Sequence, residues 1–273
     1  MQLLPIDCID NYDVEDFICG HLTPQRPVIL KGFASNWTAT RRWTPNYMSD
    51  SFGDLRLTCR VSREGIFPNL VSPTQVKKQK TTLSALIDEI PTLAATEETY
   101  LGGGDIVVDG GTPPAGSPEH RLIIDTRLPS FVPADSVTVI GFWISSNRVS
   151  SWLHYDENGA HNINAQIIGR KRAVLISPDQ TSACSMCHDS KIAAPNFSMI
   201  DPRTLKADYR ECTDKLKCFE GILGGGDAIY IPPMWLHSFD HLDPLNVNVN
   251  FWWLHNRNWS TTSCGQLLSA GSQ

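Results

Sequence analysis

His154 and Asp156 stand two residues apart in the polar stretch WLHYDENGAH (152–161), which follows the apolar run VTVIGFWIS (137–145). In an extended chain, side chains at i and i+2 project from the same face, so this imidazole and carboxylate could bind one side of a metal ion. The same two residues could instead form a hydrogen-bonded pair at the end of a strand. A metal site therefore requires a further ligand from another part of the chain.

The further ligand is predicted to be His237, because a strand and a rigid turn precede it. It lies near the end of GGGDAIYIPPMWLHSF (224–239), where a Gly-Asp turn leads into the apolar run AIYI and then a Pro-Pro stop. The competing histidines are His161, His188, His241 and His255. Two imidazoles and one carboxylate with three open positions form the facial triad typical of non-haem Fe(II) oxygenases, although the same donors suit Zn, Mn or Ni.

A cation is predicted to lie inside the molecule in the segment GRKRAVLISP (169–178). On a strand, Lys171 shares a face with Ala173 and Leu175, whereas Arg170 and Arg172 share the other face with apolar residues. One of these faces must point inward, so at least one cation lies beside apolar neighbours. A buried lysine needs an anionic partner, and few acidic residues are near in the sequence. The segment therefore leaves room for the carboxylate of a ligand.

The strand NVNVNFWW (246–253) has one apolar face and one amide-rich face. The apolar face consists of Val247, Val249, Phe251 and Trp253, and the other of Asn246, Asn248, Asn250 and Trp252. A row of amides indicates either solvent at an edge strand or a polar cavity. Trp252 at the end of the polar row favours the cavity.

The 273 residues fit one large domain or two small ones and are enough for a buried core. With 41% hydrophobic and 19% charged residues, the composition is that of a globular protein. The net charge of -6 argues against nucleic-acid binding through bulk electrostatics, and the run KKQK (77–80) is interpreted as a solvated connector. The acidic start MQLLPIDCIDNYDVEDF is unlike a secretory signal, and no apolar stretch approaches the about 20 residues needed to span a bilayer.

Eight cysteines are scattered along the chain, which without an export signal predicts reduced thiols and a cytoplasmic or nuclear location. The run CSMCH (184–188) matches the pattern of covalent haem attachment, but that chemistry normally goes with export. Zinc binding by Cys184, Cys187, Cys212 and Cys218 lacks the usual paired spacing. Free thiols are the preferred interpretation of these four residues.

The pattern along the chain predicts a mainly β fold. LRLTCRVS (55–62) alternates as a half-buried strand does, and TTLSALIDEI (81–90) has a helical stripe with a Thr as N-cap and Pro91 as its end. The stretch 101–118 is predicted to be a turn-rich loop with a short strand, and 178–220 a long irregular insertion. Strands are predicted at 121–124, 136–145, 150–156, 161–168, 171–177, 227–231 and 246–254. Many short strands indicate an antiparallel sandwich or barrel with a helical N-terminal flank.

Together these segments resemble the cupin-type JmjC hydroxylases, the group that includes the asparaginyl hydroxylase of hypoxia-inducible factor. The resemblance runs over roughly residues 24–256, from RPVILKGFASNW through YLGG and HYD…NINAQIIGRKRAVLISPDQ to GGDAIYIPPMWLHSF…NVNFWW. It implies a double-stranded β-helix, or jelly-roll, in a single domain over 1–273. The expected parts are an N-terminal α/β flank (1–99), a core (100–256) and a short tail (257–273).

The resemblance also implies Fe(II), O2 and 2-oxoglutarate as cosubstrate. By position, His154, Asp156 and His237 match the metal ligands. Lys171 matches the lysine that binds the distal carboxylate of 2-oxoglutarate. The implied reaction is hydroxylation of a C–H bond, coupled to decarboxylation of 2-oxoglutarate to succinate and CO2.

Further residues match positions around the cosubstrate. Tyr100 and Ser151 match hydroxyls that share the distal carboxylate, although the family more often has Thr in place of Ser151. Asn162 and Asn250 match amides that line the cosubstrate and the metal, and Trp252 is assigned to the same wall. The turn before Asn162 has two extra residues, so Asn164 is an alternative for that position.

A protein or peptide side chain is the preferred substrate, with a small metabolite as the alternative. Nucleic-acid substrates are disfavoured by the acidic balance, and demethylation by the lack of a reader module or zinc-binding extension; no membrane partner is expected. A hypothesis from another class is a catalytically silent cupin that acts as a metal-bound interaction module. Loops 102–120 and 178–220 are expected to form the entrance. The chain stops soon after Asn256, which leaves a monomer or an N-terminally mediated dimer as the expected states.

Overall fold

The computed structural model describes residues 2–191, 193–201 and 216–254, and within these ranges the chain forms fifteen strands and five α-helices. The strands are β1 (Gln2–Pro5), β2 (Asp7–Asp10), β3 (Val28–Lys31), β4 (Arg56–Ser62), β5 (Ile66–Phe67), β6 (Lys77–Thr82), β7 (Thr99–Val108), β8 (Val137–Ser145), β9 (Ser150–Ser151), β10 (His161–Ile168), β11 (Lys171–Ile176), β12 (Lys217–Leu223), β13 (Ala228–Ile231), β14 (Leu236–His241) and β15 (Asn246–Trp253). The helices are α1 (Val14–Phe17), α2 (Thr38–Arg42), α3 (Pro45–Phe52), α4 (Leu83–Ala95) and α5 (Pro118–Asp125). None of the helices in these ranges combines the length and apolarity of a bilayer-spanning segment.

Two sheets form the body of the molecule. The larger contains β8, β10, β13 and β15, and the smaller contains β9, β11, β12 and β14. Successive strands from β8 onward thus tend to alternate between the sheets, which is the predicted jelly-roll arrangement of a cupin. The strands predicted at 136–145, 161–168, 171–177, 227–231 and 246–254 are confirmed, whereas β12 and β14 were not predicted.

The chain before β8 extends both sheets, so the N-terminal flank is more than helical. The strand order of the larger sheet is β2-β3-β13-β10-β15-β8-β7-β4-β6, and that of the smaller is β1-β12-β11-β14-β9-β5. The run KKQK, interpreted as a connector, belongs instead to the edge strand β6. Lysines are common on edge strands because their charges oppose pairing with another chain.

The two faces of β15 explain how the larger sheet supports both a core and a cavity. Val247, Val249 and Phe251 are at most 1% exposed and face the N-terminal helical layer. Trp37, from that layer, packs edge-on against the Phe251 ring at 5.9 Å between centroids. Burial of a side chain of this size stabilises the fold by about 1.5–3 kcal/mol. The amides on the opposite face lie between the two sheets.

The Gly-rich run at 101–105 was wrongly predicted to be a loop, because it lies within the ten-residue strand β7. A Cβ on Gly102 would lie 2.6 Å from Leu86, and a Cβ on Gly103 would lie 2.2 Å from the Trp143 ring. These glycines therefore permit close packing on both faces of a strand rather than a turn. The residues that follow β7, at 109–117, form the turns that lead to α5.

The strand predicted at 121–124 is wrong, because these residues belong to α5. Ser117 caps the helix by accepting a hydrogen bond from the His120 N–H at 3.1 Å, and Pro118 occupies the first turn. A capping Ser followed by Pro is a helix start signal, and it outweighs the short apolar run that follows.

Helix α4 begins after the predicted N-cap, Thr82, but it does not end at Pro91. It continues to Ala95. Pro91 is exposed, so its missing N–H and its ring meet solvent, while Leu93 in the next turn is buried at 4% exposure. Burial of Leu93 offsets the backbone hydrogen bond that proline removes.

Most of the strand predicted at 150–156 is an extended segment outside the sheet, and it is hydrogen-bonded to Ser198. Only Ser150–Ser151 forms a strand, whereas Leu153 accepts from the Ser198 N–H at 2.9 Å and the Trp152 indole donates to the Ser198 carbonyl at 2.7 Å. The described part of the predicted insertion, 178–191, 193–201 and 216–220, includes this packing contact and the start of β12, so it is not merely an irregular loop.

Candidate metal and cosubstrate site

Three predicted ligands meet at one end of the smaller sheet. The backbones of His154 and His237 pair, with the His154 N–H donating at 3.1 Å and the His237 N–H donating at 2.7 Å. The ligand atoms of His154, Asp156 and His237 all lie within 4.8 Å of one another, and His237 Nε2 is 3.7 Å from Asp156 Oδ1. Donors bound to one ion at about 2.0–2.2 Å lie roughly 3–4 Å apart, so the three groups are spaced for a single metal.

Backbone carbonyls orient both imidazoles. His154 Nδ1 lies 2.6 Å from the Trp152 carbonyl, and His237 Nδ1 lies 3.1 Å from the Trp235 carbonyl. A protonated Nδ1 leaves the Nε2 lone pair for a metal, which is the arrangement that second-shell partners give to metal-binding histidines. Burial, followed by the neighbouring His237, lowers the pKa of His154 to about 4. The ring is thus neutral near pH 7, as a ligand must be.

A chain of amides leads to the carboxylate. Asn248 Nδ2 donates to Asn250 Oδ1 at 2.6 Å, Asn250 Nδ2 donates to Asn162 Oδ1 at 3.0 Å, and Asn162 Nδ2 donates to Asp156 Oδ2 at 2.9 Å. One oxygen of Asp156 is therefore held, and the other points towards His237. The predicted alternatives, Asn162 and Asn164, both line the cavity, but Asn162 contacts Asp156 whereas Asn164 contacts Lys171.

The other end of the cavity holds a buried cation. Lys171 is 0% exposed, donates to Asn164 Oδ1 and lies 4.3 Å from the centroid of the Phe239 ring. Among the described residues no carboxylate pairs with it. Burial lowers the pKa of the ammonium well below its usual range. A buried ammonium without a counter-charge is costly, so this position favours an anionic ligand.

A cavity of about 340 Å³ joins the two ends, and residues of both sheets line it. Ser151 and Trp252 lie in its wall, as expected. The Ser151 hydroxyl accepts from the Phe239 N–H at 2.8 Å, which leaves its own proton free to donate. The amide row of β15 therefore faces this cavity, with Asn248 and Asn250 in the wall.

Tyr100 is not at the cavity, and its expected role needs correction. Its side chain is 2% exposed and lies in the main hydrophobic core, where its hydroxyl has no hydrogen-bond partner in the described structure. Leu101 lines the cavity instead. Neighbouring residues on a strand point to opposite faces, so the pleat of β7 places Leu101 where the resemblance implied Tyr100.

His241, which the sequence offered only as a competitor of His237 for the metal, is a further functional candidate at the cavity. It lies directly opposite Lys171 in the pairing of β11 with β14, lines the cavity and bonds through Nδ1 to the Ser145 hydroxyl. Burial, followed by Lys171, lowers the pKa of His241 to about 3. The signal was present in the sequence, because His237, Phe239 and His241 alternate along one strand and share its inner face.

Within the described part of the chain, the remaining metal candidates do not converge on the site. His161 forms a hydrogen bond with the Tyr230 hydroxyl at 2.8 Å in the core. His188 does not belong to the group formed by His154, Asp156 and His237. Cys184, Cys187 and Cys218 are buried free thiols. Residues outside the described ranges include His255 and Cys212. Cys19 is disulfide-bonded, so the expectation of reduced thiols fails there.

The residues present fit a divalent metal ion and a dicarboxylate ligand. Two oriented imidazoles and one carboxylate are the donors that Fe(II) takes in a facial triad, and Mn or Zn would accept the same set. The buried ammonium of Lys171 lies in the same cavity, where it suits a carboxylate remote from the metal.

The chain is similar to several curated proteins. A profile of the family described as cupin-like domain matches residues 15–258. The chain is 28% identical over 270 residues to Lysine-specific demethylase JMJ31 of Arabidopsis thaliana, and this alignment covers 84% of the chain and 46% of that relative. It is 25% identical over 248 residues to Jumonji C domain-containing protein 5 of Drosophila melanogaster, covering 90% and 59%. It is 26% identical over 264 residues to tRNA wybutosine-synthesizing protein 5 of Danio rerio, covering 93% and 76%.

The chain thus spans about half the length of the first two relatives. The profile match covers most of the chain, including the sites of all three candidate ligands, and the structure has the two sheets of a jelly-roll. The chain therefore belongs to the cupin-like family of JmjC type.

Proposed function

We propose that the protein is an oxygenase that uses Fe(II) and 2-oxoglutarate to hydroxylate a C–H bond. The observation that carries this proposal is that the His154–Asp156–His237 group and the buried Lys171 ammonium line one cavity. A dicarboxylate in this cavity would have a positively charged partner for each of its ends, which are the metal ion at one end and Lys171 at the other. The membership of the family supports the same reaction class.

Each part of the site has a task in this proposal. His154, Asp156 and His237 would hold Fe(II), which when bound supplies oxidation by O2 coupled to conversion of 2-oxoglutarate to succinate and CO2. Lys171 would bind the distal carboxylate, with the free hydroxyl proton of Ser151 as a further donor. The amide chain that ends at Asn162 holds the Asp156 carboxylate in one orientation.

The proposed acceptor is a side chain of a protein or peptide. At about 340 Å³ the cavity is near the small end of ligand sites, which span roughly 300–1,000 Å³, so it suits a cosubstrate together with one side chain. Phe197, Trp143 and Trp252 contribute apolar wall for that side chain. A small metabolite is the alternative acceptor. Because two relatives are named for lysine demethylation and for tRNA wybutosine synthesis, lysine and tRNA serve as control acceptors.

The reaction class is tested by loading the purified protein with Fe(II) without oxygen and adding 2-oxoglutarate. We expect a visible charge-transfer band, and succinate once oxygen is admitted. Asp156→Ala removes one of the three ligands, so both signals should be lost. If the wild type gives neither band nor succinate, the protein is a silent cupin and the proposal is wrong.

The acceptor is tested by mass spectrometry of peptides, metabolites and tRNA from cell extract treated with the loaded enzyme. We expect a gain of one oxygen on peptides that requires 2-oxoglutarate and Lys171. Oxygen gained only by metabolites or only by tRNA would contradict the peptide assignment and leave the reaction class standing.

A further inference from the structure

The outer part of the cavity carries two cations that the proposed reaction does not use. Arg60 on β4 and Lys78 on β6 both line the cavity, and they lie directly opposite each other in the antiparallel pairing. Like charges on opposed residues of neighbouring strands destabilise a sheet. Lys78 is exposed and Arg60 is half-buried, whereas Lys171 is at the fully buried end.

Arg60 is the more informative of the two. Its guanidinium has five N–H donors, yet among the described residues its side chain has no hydrogen-bond, ion-pair or ring partner. Burial lowers the pKa of the guanidinium, and within the described ranges no neighbouring carboxylate opposes this effect. Half-burying so many donors without an acceptor costs free energy, which an anion at this position would offset.

The opposite face of the same strands shows a different arrangement. There Lys77 pairs with Glu98 at 3.3 Å, and Gln79 Nε2 donates to Glu89 at 3.2 Å. On the cavity side, Asp156 is the one carboxylate among the described lining residues, and it belongs to the metal group. Protection of an edge strand would explain Lys78 but not Arg60, because β4 lies between β6 and β7.

We propose that Arg60 and Lys78 bind an oxyanion of the substrate, which is a carboxylate or a phosphate. The inference rests on the proposed function and names its substrate class as anionic. Arg60 offers two parallel N–H donors to such a group, and Lys78 adds a point charge. Lys171 remains the partner of 2-oxoglutarate, so the cavity would hold two anions, each with its own cation.

The test uses protein loaded with Mn(II) in place of Fe(II) and saturated with 2-oxoglutarate. The probes are methyl phosphate, observed by phosphorus NMR, and acetate, observed by carbon NMR. Mn(II) is paramagnetic, so it speeds the relaxation of nuclei that bind in its cavity. We expect a saturable relaxation enhancement for at least one probe, and the tighter probe identifies phosphate or carboxylate as the preferred oxyanion.

The variants decide the outcome. Arg60→Gln should weaken the probe by about 10-fold to 100-fold, because a charge-assisted pair is lost, and Arg60→Lys should recover part of the affinity. Arg56→Gln removes the same charge from an exposed residue of β4 that does not line the cavity, so it should leave binding unchanged. An enhancement that does not saturate, or that Arg60→Gln leaves intact, would overturn the inference.

A separate measurement distinguishes this inference from the proposed function. Calorimetry of 2-oxoglutarate with the Mn(II)-loaded wild type reports on the metal group and Lys171. Absence of cosubstrate binding would refute the proposed function, whereas normal cosubstrate binding without a response at Arg60 would refute the anionic substrate class alone.

Discussion

At the scale of single residues, Lys171 makes the free energy of unfolding depend on whether the cavity holds an anionic ligand. Its ammonium is fully buried, and in the described structure its polar partner is the Asn164 amide rather than a carboxylate. Since burial lowers the pKa of Lys171, the unfolded chain binds more protons than the folded one between that lowered pKa and about 10.4. Stability without ligand should therefore rise with pH across this window.

Lys171→Met should stabilise the protein without ligand by about 1–4 kcal/mol at neutral pH, because an apolar side chain of similar length replaces an unpaired buried charge. The same variant should lose its response to 2-oxoglutarate, which stabilises the wild type by about 2.7 kcal/mol at 100-fold excess over its dissociation constant. Urea unfolding at neutral and mildly alkaline pH measures both effects. A variant that is less stable than the wild type without ligand would contradict this view of Lys171.

Asn162 should act on the metal through Asp156, because it connects that carboxylate to the amide chain. Asn162→Ala is expected to weaken Mn(II) binding about 10-fold to 100-fold while the three ligands stay in place. Asn46→Ala, an exposed substitution in α3, is the matched control. Equal affinities in the two variants, measured by calorimetry, would show that the amide chain does not support the site.

The residue scale also shows where sequence reasoning is strong and where it fails. Alternation along 169–178 required one cation-bearing face to point inward, and the resemblance to the family selected the face of Lys171, Ala173 and Leu175, all of which the structure buries. Tyr100 was misplaced because a strand has a period of two, so an error of one residue moves a side chain to the other face. The motif YLGG indicates the strand, but only the pairing of β7 with β8 shows that Leu101 faces the cavity.

At the scale of elements, β7 shows why a Gly-rich stretch need not be a loop. Its glycines lie against Leu86 on one face and Trp143 on the other. Turn composition is a local signal, whereas the close approach of a large ring on the next strand, about 40 residues further along the chain, is not visible locally. The same limit explains α4, which continues past Pro91 because a tertiary contact at Leu93 supports its last turn.

Gly103→Ala should destabilise the protein by about 1–3 kcal/mol, because its new Cβ would lie 2.2 Å from the Trp143 ring and overpack the sheet. The displaced ring lines the cavity, so cosubstrate or substrate binding should weaken as well. Gly104→Ala is the control, since the nearest atom to its new Cβ is 3.5 Å away. Thermal unfolding of both variants measures the difference, and equal midpoints would contradict the packing account of β7.

At the scale of the whole molecule, one larger sheet serves two purposes. Its outer face packs on the N-terminal helices, and its inner face lines the cavity with amides. The alternating apolar and amide residues of 246–253 indicated either solvent or a polar cavity on the amide face, whereas the jelly-roll was implied by the resemblance to the family. The seven strands before β8 were harder, because short edge strands such as β1, β2 and β6 are fixed by pairing with distant segments.

The central claim is that His154, Asp156 and His237 converge on one metal ion while Lys171 binds the far end of 2-oxoglutarate. Anomalous diffraction from crystals grown with Mn(II) and 2-oxoglutarate tests it most directly. The account predicts one strong anomalous peak bonded to both Nε2 atoms and the Asp156 carboxylate, with the distal carboxylate on Lys171. A peak bound elsewhere, or a cosubstrate that leaves Lys171 unpaired, would contradict it.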